Sequence, residues 1–228
     1  MQQSRLEALF KKIHQFENLP RETLERFAKV ALPRHFDAGQ VIYIEGEPAE
    51  KVYLLEQGWV KATRISGDGR EQAMMFFSSG EIFGDIAIFA EKEYPGTVVA
   101  LEEVDLWVIP ANEFRALVEQ DIVLAMAIIQ RLSDRVLHYI GLVEDLSLRN
   151  VESRLVNTLL QHAETCEGQL VVPRRNWTTF DEMAIRLGTV RDVLSRAFKT
   201  LEADGLLEVK RHQIILLDPK ELARRGNL

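Results

Sequence analysis

Cysteine is nearly absent: Cys166 stands alone in 228 residues. One thiol forms no disulfide framework within its own chain, and it cannot hold a cluster that needs several thiolates of one subunit. Its setting, "AETCEGQ", reads as a polar loop with no histidine placed to activate it as a nucleophile. Long apolar runs are missing as well. None reaches the ~18 residues that a membrane span needs, so no membrane partner is expected. The first residues, "MQQSRLEALFKKIHQF", are amphipathic and charged, without the continuous apolar core of a signal peptide. The expected compartment is therefore the cytoplasm. Also lacking are a Ser/His/Asp set, a phosphate-cradling glycine loop and metal-ligand spacing, so neither an enzyme nor a metal site is expected.

Basic charge is scarce at one end. From Met1 to Leu146 there are 15 Lys+Arg against 24 Asp+Glu; from Ser147 to Leu228 the count is 13 against 11. The overall charge is −7 at pH 7. Such asymmetry suggests separate tasks, with the later part better suited to a polyanion.

Three textures follow one another along the chain. A helical stretch from about Ser4 to Ala31 is broken at "NLPRE", where Asn18 and Pro20 mark a turn. From about Phe36 to Pro110 come short alternating or β-branched runs: "VIYI", "VYLLEQGWVKATRI", "EQAMMFF", "GTVVAL" and "VDLWVI". Turn signals such as Gly46-Glu47-Pro48, Gln57-Gly58 and Gly67-Asp68-Gly69 separate them. Short strands punctuated by glycine turns predict a small antiparallel barrel or roll rather than a parallel sheet. After Pro110 the pattern is helical to about Leu146. Within it Met126, Ile129, Ser133, Val136, Ile140 and Val143 alternate spacings of three and four, close to three heptads of a coiled-coil seam. Arg131, Asp134, Arg135 and Glu144 flank that seam. The pattern predicts a parallel homodimer through this helix, although one helix lying on its own barrel would use an apolar stripe too. Ser147 reads as a cap after the helix, making Asp145 to Asn150 the natural hinge.

The third texture carries the chemistry. In "TTFDEMAIRLG", Thr179 with Glu182 three residues on is a capping-box signature. Met183, Ala184 and Leu187 give a short helix its apolar face, and Gly188 ends it. Thr189 is expected to cap the next helix, "TVRDVLSRAFKTLEADGLLEV". There Leu194, Ala197, Phe198 and Leu201 form an apolar stripe at helical spacing, while Asp192, Ser195, Arg196 and Lys199 form a polar one. Two short helices joined by a tight glycine turn make a helix-turn-helix. Asp204-Gly205 stops the second helix, and "LLEVKRHQIILLD" supplies two strands around a basic turn, a wing. A recognition helix docks its N-terminal end in the major groove, so Val190 to Lys199, with Arg191 among them, would face base edges. Arg196 suits guanine, Asp192 the cytosine amino group, Ser195 several partners, and Val190 or Val193 a thymine methyl. Backbone amides at Thr179 and Thr189 suit phosphates, as do Arg174, Arg175 and Lys199.

Taken in order, "FDAGQVIYIEGEPAEKVYLLEQGWVKA", "GEIFGDIAIF", the long helix and "RDVLSRAFKTLEADGLL" resemble the Crp/Fnr family of bacterial transcription regulators over essentially the whole chain. The resemblance implies an α+β protein: an N-terminal cyclic-nucleotide-binding-type β-roll, a long dimerisation helix and a C-terminal winged helix-turn-helix. The expected divisions are 1–110 for the sensor, 111–146 for the dimerising helix and 147–228 for the DNA-binding domain. A homodimer would read a pseudo-palindromic operator with half-sites about one helical turn apart, with RNA polymerase as a further partner. An effector in the roll would reorient the readers about the hinge. The competing expectation is a signalling adaptor of the same fold that binds protein instead of DNA.

The Fnr-like branch carries glutamate followed three residues later by serine-arginine. Here Asp192, Ser195 and Arg196 hold those places, one methylene short of the usual acid. Gly84, Asp85 and Ile86 with Pro95, Gly96 and Thr97 are the expected effector pocket. Pro95-Gly96 stands where cyclic-AMP-binding members have arginine-serine. A buried phosphate without a positive partner is costly and proline donates no backbone hydrogen bond, so cyclic AMP is not expected. An iron–sulfur cluster is not expected either. "EYPGTV" and "DLSLRN" are similar to a branch that responds to nitric oxide or related gases through haem, which makes a gaseous or small-molecule effector the expectation and haem the candidate cofactor. None of His14, His35, His138, His162 or His212 stands out as an axial ligand, and Met74-Met75 reads as core strand.

Overall fold

The computed structural model describes residues 2–11, 13, 16 and 19–226, residues 2 and 3 in backbone only. The expected turn at Asn18, and His14, lie outside the described residues. In chain order the elements are α1 (Gln2–Phe10), α2 (Arg21–Val30), β1 (Leu32–Phe36), β2 (Val41–Tyr43), β3 (Lys51–Gln57), β4 (Val60–Ile65), β5 (Glu71–Phe77), β6 (Ile82–Phe83), α3 (Asp85–Phe89), β7 (Thr97–Ala100) and β8 (Val104–Pro110). They continue with α4 (Ala111–Gln120), α5 (Ile122–Leu148), α6 (Val151–Gln161), β9 (Glu164–Cys166), β10 (Gln169–Pro173), α7 (Phe180–Arg186), α8 (Arg191–Ala203), β11 (Leu207–Val209), β12 (Gln213–Leu216) and α9 (Pro219–Arg225). No described helix is long and apolar enough to cross a membrane.

Two four-stranded antiparallel sheets form the roll, ordered β1-β8-β3-β6 and β2-β7-β4-β5. Side chains of a strand alternate between faces, and β3 and β8 bury both. Tyr53, Leu55, Val104 and Leu106 point into the roll, where they meet Tyr43, Val60, Phe77, Phe83, Tyr94 and Val98. Val52, Leu54, Trp107 and Ile109 point the other way, into a second core with Phe10, Phe27, Phe114, Leu124 and Ile128 from the helices. That dual burial explains why these two runs read as almost continuously apolar.

The helical run after Pro110 is two helices, not one. Asp121 sits between α4 and α5 with extended backbone, φ −133 and ψ 106. Its carboxylate accepts from the Val123 and Leu124 amides at 2.9 and 3.2 Å, so it caps α5. At the far end α5 absorbs Ser147 and runs to Leu148. Asn150, not Ser147, caps α6, its side chain accepting from the Ser153 amide at 2.9 Å. Within the expected hinge, only Arg149 and Asn150 lie outside the helices.

By its contacts the chain divides into two compact units, 1–64 with 74–139, and 65–73 with 140–228. The division falls inside α5 rather than at 146. Within the second unit a sheet ordered β11-β12-β10-β9 backs α6 to α9. Its core gathers Leu155, Leu159, Met183, Leu194, Phe198, Leu201, Ile214 and Leu222. Cys166, expected in a loop, lies on the exposed strand β9. The turn after it uses Glu167 and Gly168, both left-handed, as a two-residue hairpin requires.

Candidate nucleic-acid interface and effector site

Thr179 is the N-cap of α7, and its hydroxyl accepts from the Glu182 amide at 3.2 Å. Met183, Ala184 and Leu187 are buried, as the helical spacing requires. Gly188 follows with φ +62, a left-handed value that glycine adopts without a Cβ clash, and it turns the chain into α8. The next cap differs from expectation. Val190, not Thr189, is the N-cap of α8, with no side-chain cap bond; the Thr189 amide instead donates to the Ala184 carbonyl at 3.0 Å. The threonine is consumed in closing the turn, which leaves Val190 at the helix tip, 57% exposed.

From that tip the two stripes of α8 separate cleanly. Leu194, Phe198 and Leu201 are buried. Asp192, Arg196 and Lys199 are exposed and Ser195 is half-buried. The Arg196 Nε donates along its own helix to the Asp192 carbonyl at 3.3 Å. Arg191 is tied sideways: its Nη1 donates to the Asp181 carboxylate at 2.9 Å, pinning α8 to α7. Arg174 is engaged too. It donates to the Lys210 carbonyl at 3.0 Å and the Thr178 carbonyl at 3.1 Å and lies over the Phe180 ring. It braces the wing against the loop before α7. The wing itself is present as β11 and β12 around Lys210, Arg211 and His212.

In the roll, the expected pocket residues divide. Gly84 and Ile86 are half-buried and Pro95 is exposed; a Cβ at Gly84 would lie 3.4 Å from the ring of Tyr94, so the two segments are neighbours. Thr97 accepts from the Glu45 amide at 3.1 Å. Gly96 is packed so closely on β4 that a Cβ would fall 2.8 Å from the Thr63 carbonyl, and a serine there would not fit without a shift. Asp85 is fully buried and turns inward to Arg135 of α5, whose Nη1 donates to it at 2.6 Å. The other Arg135 nitrogen donates to the Ile82 carbonyl, and its guanidinium lies over Phe77. One carboxylate oxygen of Asp85 has no hydrogen-bond partner among the described residues.

Around this pair is a continuous aromatic cluster. Tyr43 stacks on Tyr94 at 3.8 Å, and Phe83 on Tyr53 and Phe77 at 5.1 and 5.2 Å. Burial pushes the hydroxyls of Tyr43 and Tyr53 well above the usual tyrosine range, so both stay protonated donors. The described histidines do not fit haem ligation in this interior. His35 donates to Asp105 at 3.0 Å on the exposed β1, a bond that raises its pKa, and His138 bonds the Met74 carbonyl at 3.2 Å from an exposed position. His162 and His212 belong to the other unit. Met75 is core strand.

The long helix presents two opposite faces. Leu124, Ala127, Ile128, Arg131 and Arg135 are buried; the seam residues Met126, Ile129, Val136, Ile140 and Val143 are 54–63% exposed. Ser133 is exposed on the same side and its hydroxyl is satisfied by the Ile129 carbonyl at 2.9 Å. Arg131 and Arg135, expected to flank the seam, are the polar end of the buried face. The spacing Leu124, Ile128, Arg131, Arg135 was the available signal, a second stripe on the face opposite the seam.

The cyclic nucleotide-binding domain family matches residues 33–121, and the Crp-like helix-turn-helix domain family matches residues 153–225. A sensor roll followed by a winged reader is the class that the fold and these matches define. The chain belongs to the Crp/Fnr family, whose members are effector-responsive DNA-binding transcription regulators and not enzymes. It is 24% identical over 214 residues to the CRP-like cAMP-activated global transcriptional regulator of Mycobacterium tuberculosis, covering 92% of this chain and 95% of that one. It is 29% identical over 201 residues to the Global nitrogen regulator of Synechococcus elongatus, covering 83% and 87%. In fold it is similar to FixK2 from Bradyrhizobium japonicum, with a TM-score of 0.74 at 21% identity, covering 86% of this chain and 96% of that one.

Proposed function

We propose that the protein is a cytoplasmic homodimer that reads a pseudo-palindromic operator through α8 and answers to a small effector sensed in the roll. The observation that carries this reading is the exposed polar face of α8, Asp192, Ser195, Arg196 and Lys199 with Val190 at its tip, on a helix whose other face is fully committed to a core. A surface helix that needs only solubility does not need a carboxylate, a hydroxyl and a guanidinium in its first two turns beside a brace such as Arg191–Asp181. Dimerisation is supported by the apolar seam of α5. Its two-fold symmetry would set half-sites about one helical turn apart, and RNA polymerase is the partner through which such a regulator acts. The functional divisions remain 1–110, 111–146 and 147–228, although the contacts within the chain change over inside α5.

Two features constrain the effector. Pro95-Gly96 supplies no cation for a cyclic phosphate, and Asp85 is engaged with Arg135 rather than open to a ribose. An effector other than cyclic AMP follows. Gas sensing through haem has no supporting ligand set among the described histidines.

Genome-wide selection of duplexes by the purified protein tests the reading, with sedimentation to fix its oligomeric state. A two-fold motif bound by a dimer is expected. A single subunit, or no enriched motif, defeats the proposal and favours the protein-binding adaptor.

A further inference from the structure

We infer that His162 is a positioning residue for the DNA-reading unit, its ring adding a bond to Arg186 of α7 only while it is neutral. This rests on the DNA-binding reading above. His162 is the C-cap of α6, and its Nδ1 donates to the Thr158 carbonyl at 2.8 Å. A neutral imidazole has one N–H, so with Nδ1 as donor the Nε2 lone pair is an acceptor. Guanidinium can only donate, and the Arg186 Nη2 lies 2.7 Å from that Nε2. A second proton on the ring would set N–H against N–H and cation against cation. The contact therefore exists in one protonation state.

Arg186 is the last residue of α7, two positions before the glycine that turns the chain into α8. The bond thus joins the end of α6 to the hinge of the helix-turn-helix. From α7 the ring meets the Arg186 cation, and from its own helix the Thr158 carbonyl. The helices α8 and α9 also pack on α6, and β9 follows it. Arg186 is the one charged group among the described residues that shifts the ring. His162 is exposed at the surface, but partial desolvation of its ring first, and the like charge of Arg186 second, hold its pKa below its ordinary value. The sign follows. Above the unfolded value of 6.5 both states are neutral and the bond is intact. As pH falls below it, the unfolded chain takes up a proton that the folded unit resists, so the folded unit loses stability. Protonation of the folded ring then breaks its bond to Arg186.

The test titrates the full-length protein with the duplex recovered by selection, from about pH 7.5 down to about pH 5.5. The comparison is His162→Gln, whose amide offers Arg186 an acceptor that does not titrate. The wild type is expected to lose about fivefold in specific affinity relative to the variant on acidification, the value of one hydrogen bond. In an Arg186→Met background the two curves should run parallel. Parallel curves with Arg186 present overturn the inference. If the wild type binds no duplex at any pH, the DNA-binding reading has failed and positioning is judged by thermal unfolding, where the wild type must lose more than the variant in the same window. Nitrogen NMR of the ring gives a check that needs no variant: an Nε2–H tautomer, or titration above 6.5, also overturns it.

Discussion

The reading helix and the sensor roll handle charge in opposite ways. Along α8, Asp192, Arg196 and Lys199 stand in solvent, where a charge costs little to keep and stays available to a phosphate or base edge. In the roll, Asp85 is fully buried and Arg135 nearly so, and the two form a buried ion pair. A buried pair contributes little net stability, yet breaking it is expensive because the remaining charge is stranded. The difference teaches where each region is vulnerable: substitutions on α8 should change binding and leave folding alone, whereas those at the Asp85–Arg135 pair should do the reverse first.

The largest effect follows from that contrast. Arg135→Ala leaves a fully buried carboxylate facing tyrosines and should destabilise the roll by about 3–5 kcal/mol in chemical unfolding. Replacing both partners by leucine should recover much of that loss. A small effect for the single change would mean that water reaches Asp85, and the contrast with α8 would break. Next is the exposed seam of α5. Ile140→Glu places a charge where the dimer would bury a side chain, and should weaken self-association by at least about 2 kcal/mol, roughly thirtyfold in Kd by sedimentation. An unchanged Kd would move the dimer elsewhere. Arg196→Ala then sharpens the other half of the comparison. It should cost about 1–3 kcal/mol of specific binding while shifting unfolding by less than about 0.5 kcal/mol.

How far the sequence foretold these regions follows from the range of the interactions involved. The reader was legible because its signals are local. Thr179 and Glu182 are three apart, Gly188 marks its own turn, and the α8 stripes follow from a fixed helical period. Even there the cap moved from Thr189 to Val190: the Thr189 amide bonds Ala184 within the turn, one residue outside the helix start. Strands β9 and β10 escaped notice, being three and five residues long and partly polar. The roll was legible as alternating strands with glycine turns. Its interior was not, since Asp85 meets Arg135 across 50 residues of chain, and no local pattern links them. The break at Asp121 was missed for a related reason: an aspartate between two apolar helical runs looks like one polar position until its carboxylate is seen capping α5.

The smallest expected effect tests how much of the reader's order is local. Thr179→Ala removes one hydroxyl that accepts from one amide at 3.2 Å, with Thr179 itself exposed. A helix of seven residues has few bonds of its own, so a lost cap is a large share of them. The expected cost is about 1 kcal/mol of stability, with faster amide exchange at Glu182 and little change in the roll. Specific DNA affinity should fall by less than for Arg196→Ala, because the cap orders α7 and touches no base. Thr179→Ser should restore the bond and the affinity together. If serine restores stability but not affinity, then the threonine side chain contacts the duplex directly, and the division between ordering residues and reading residues must be redrawn at α7.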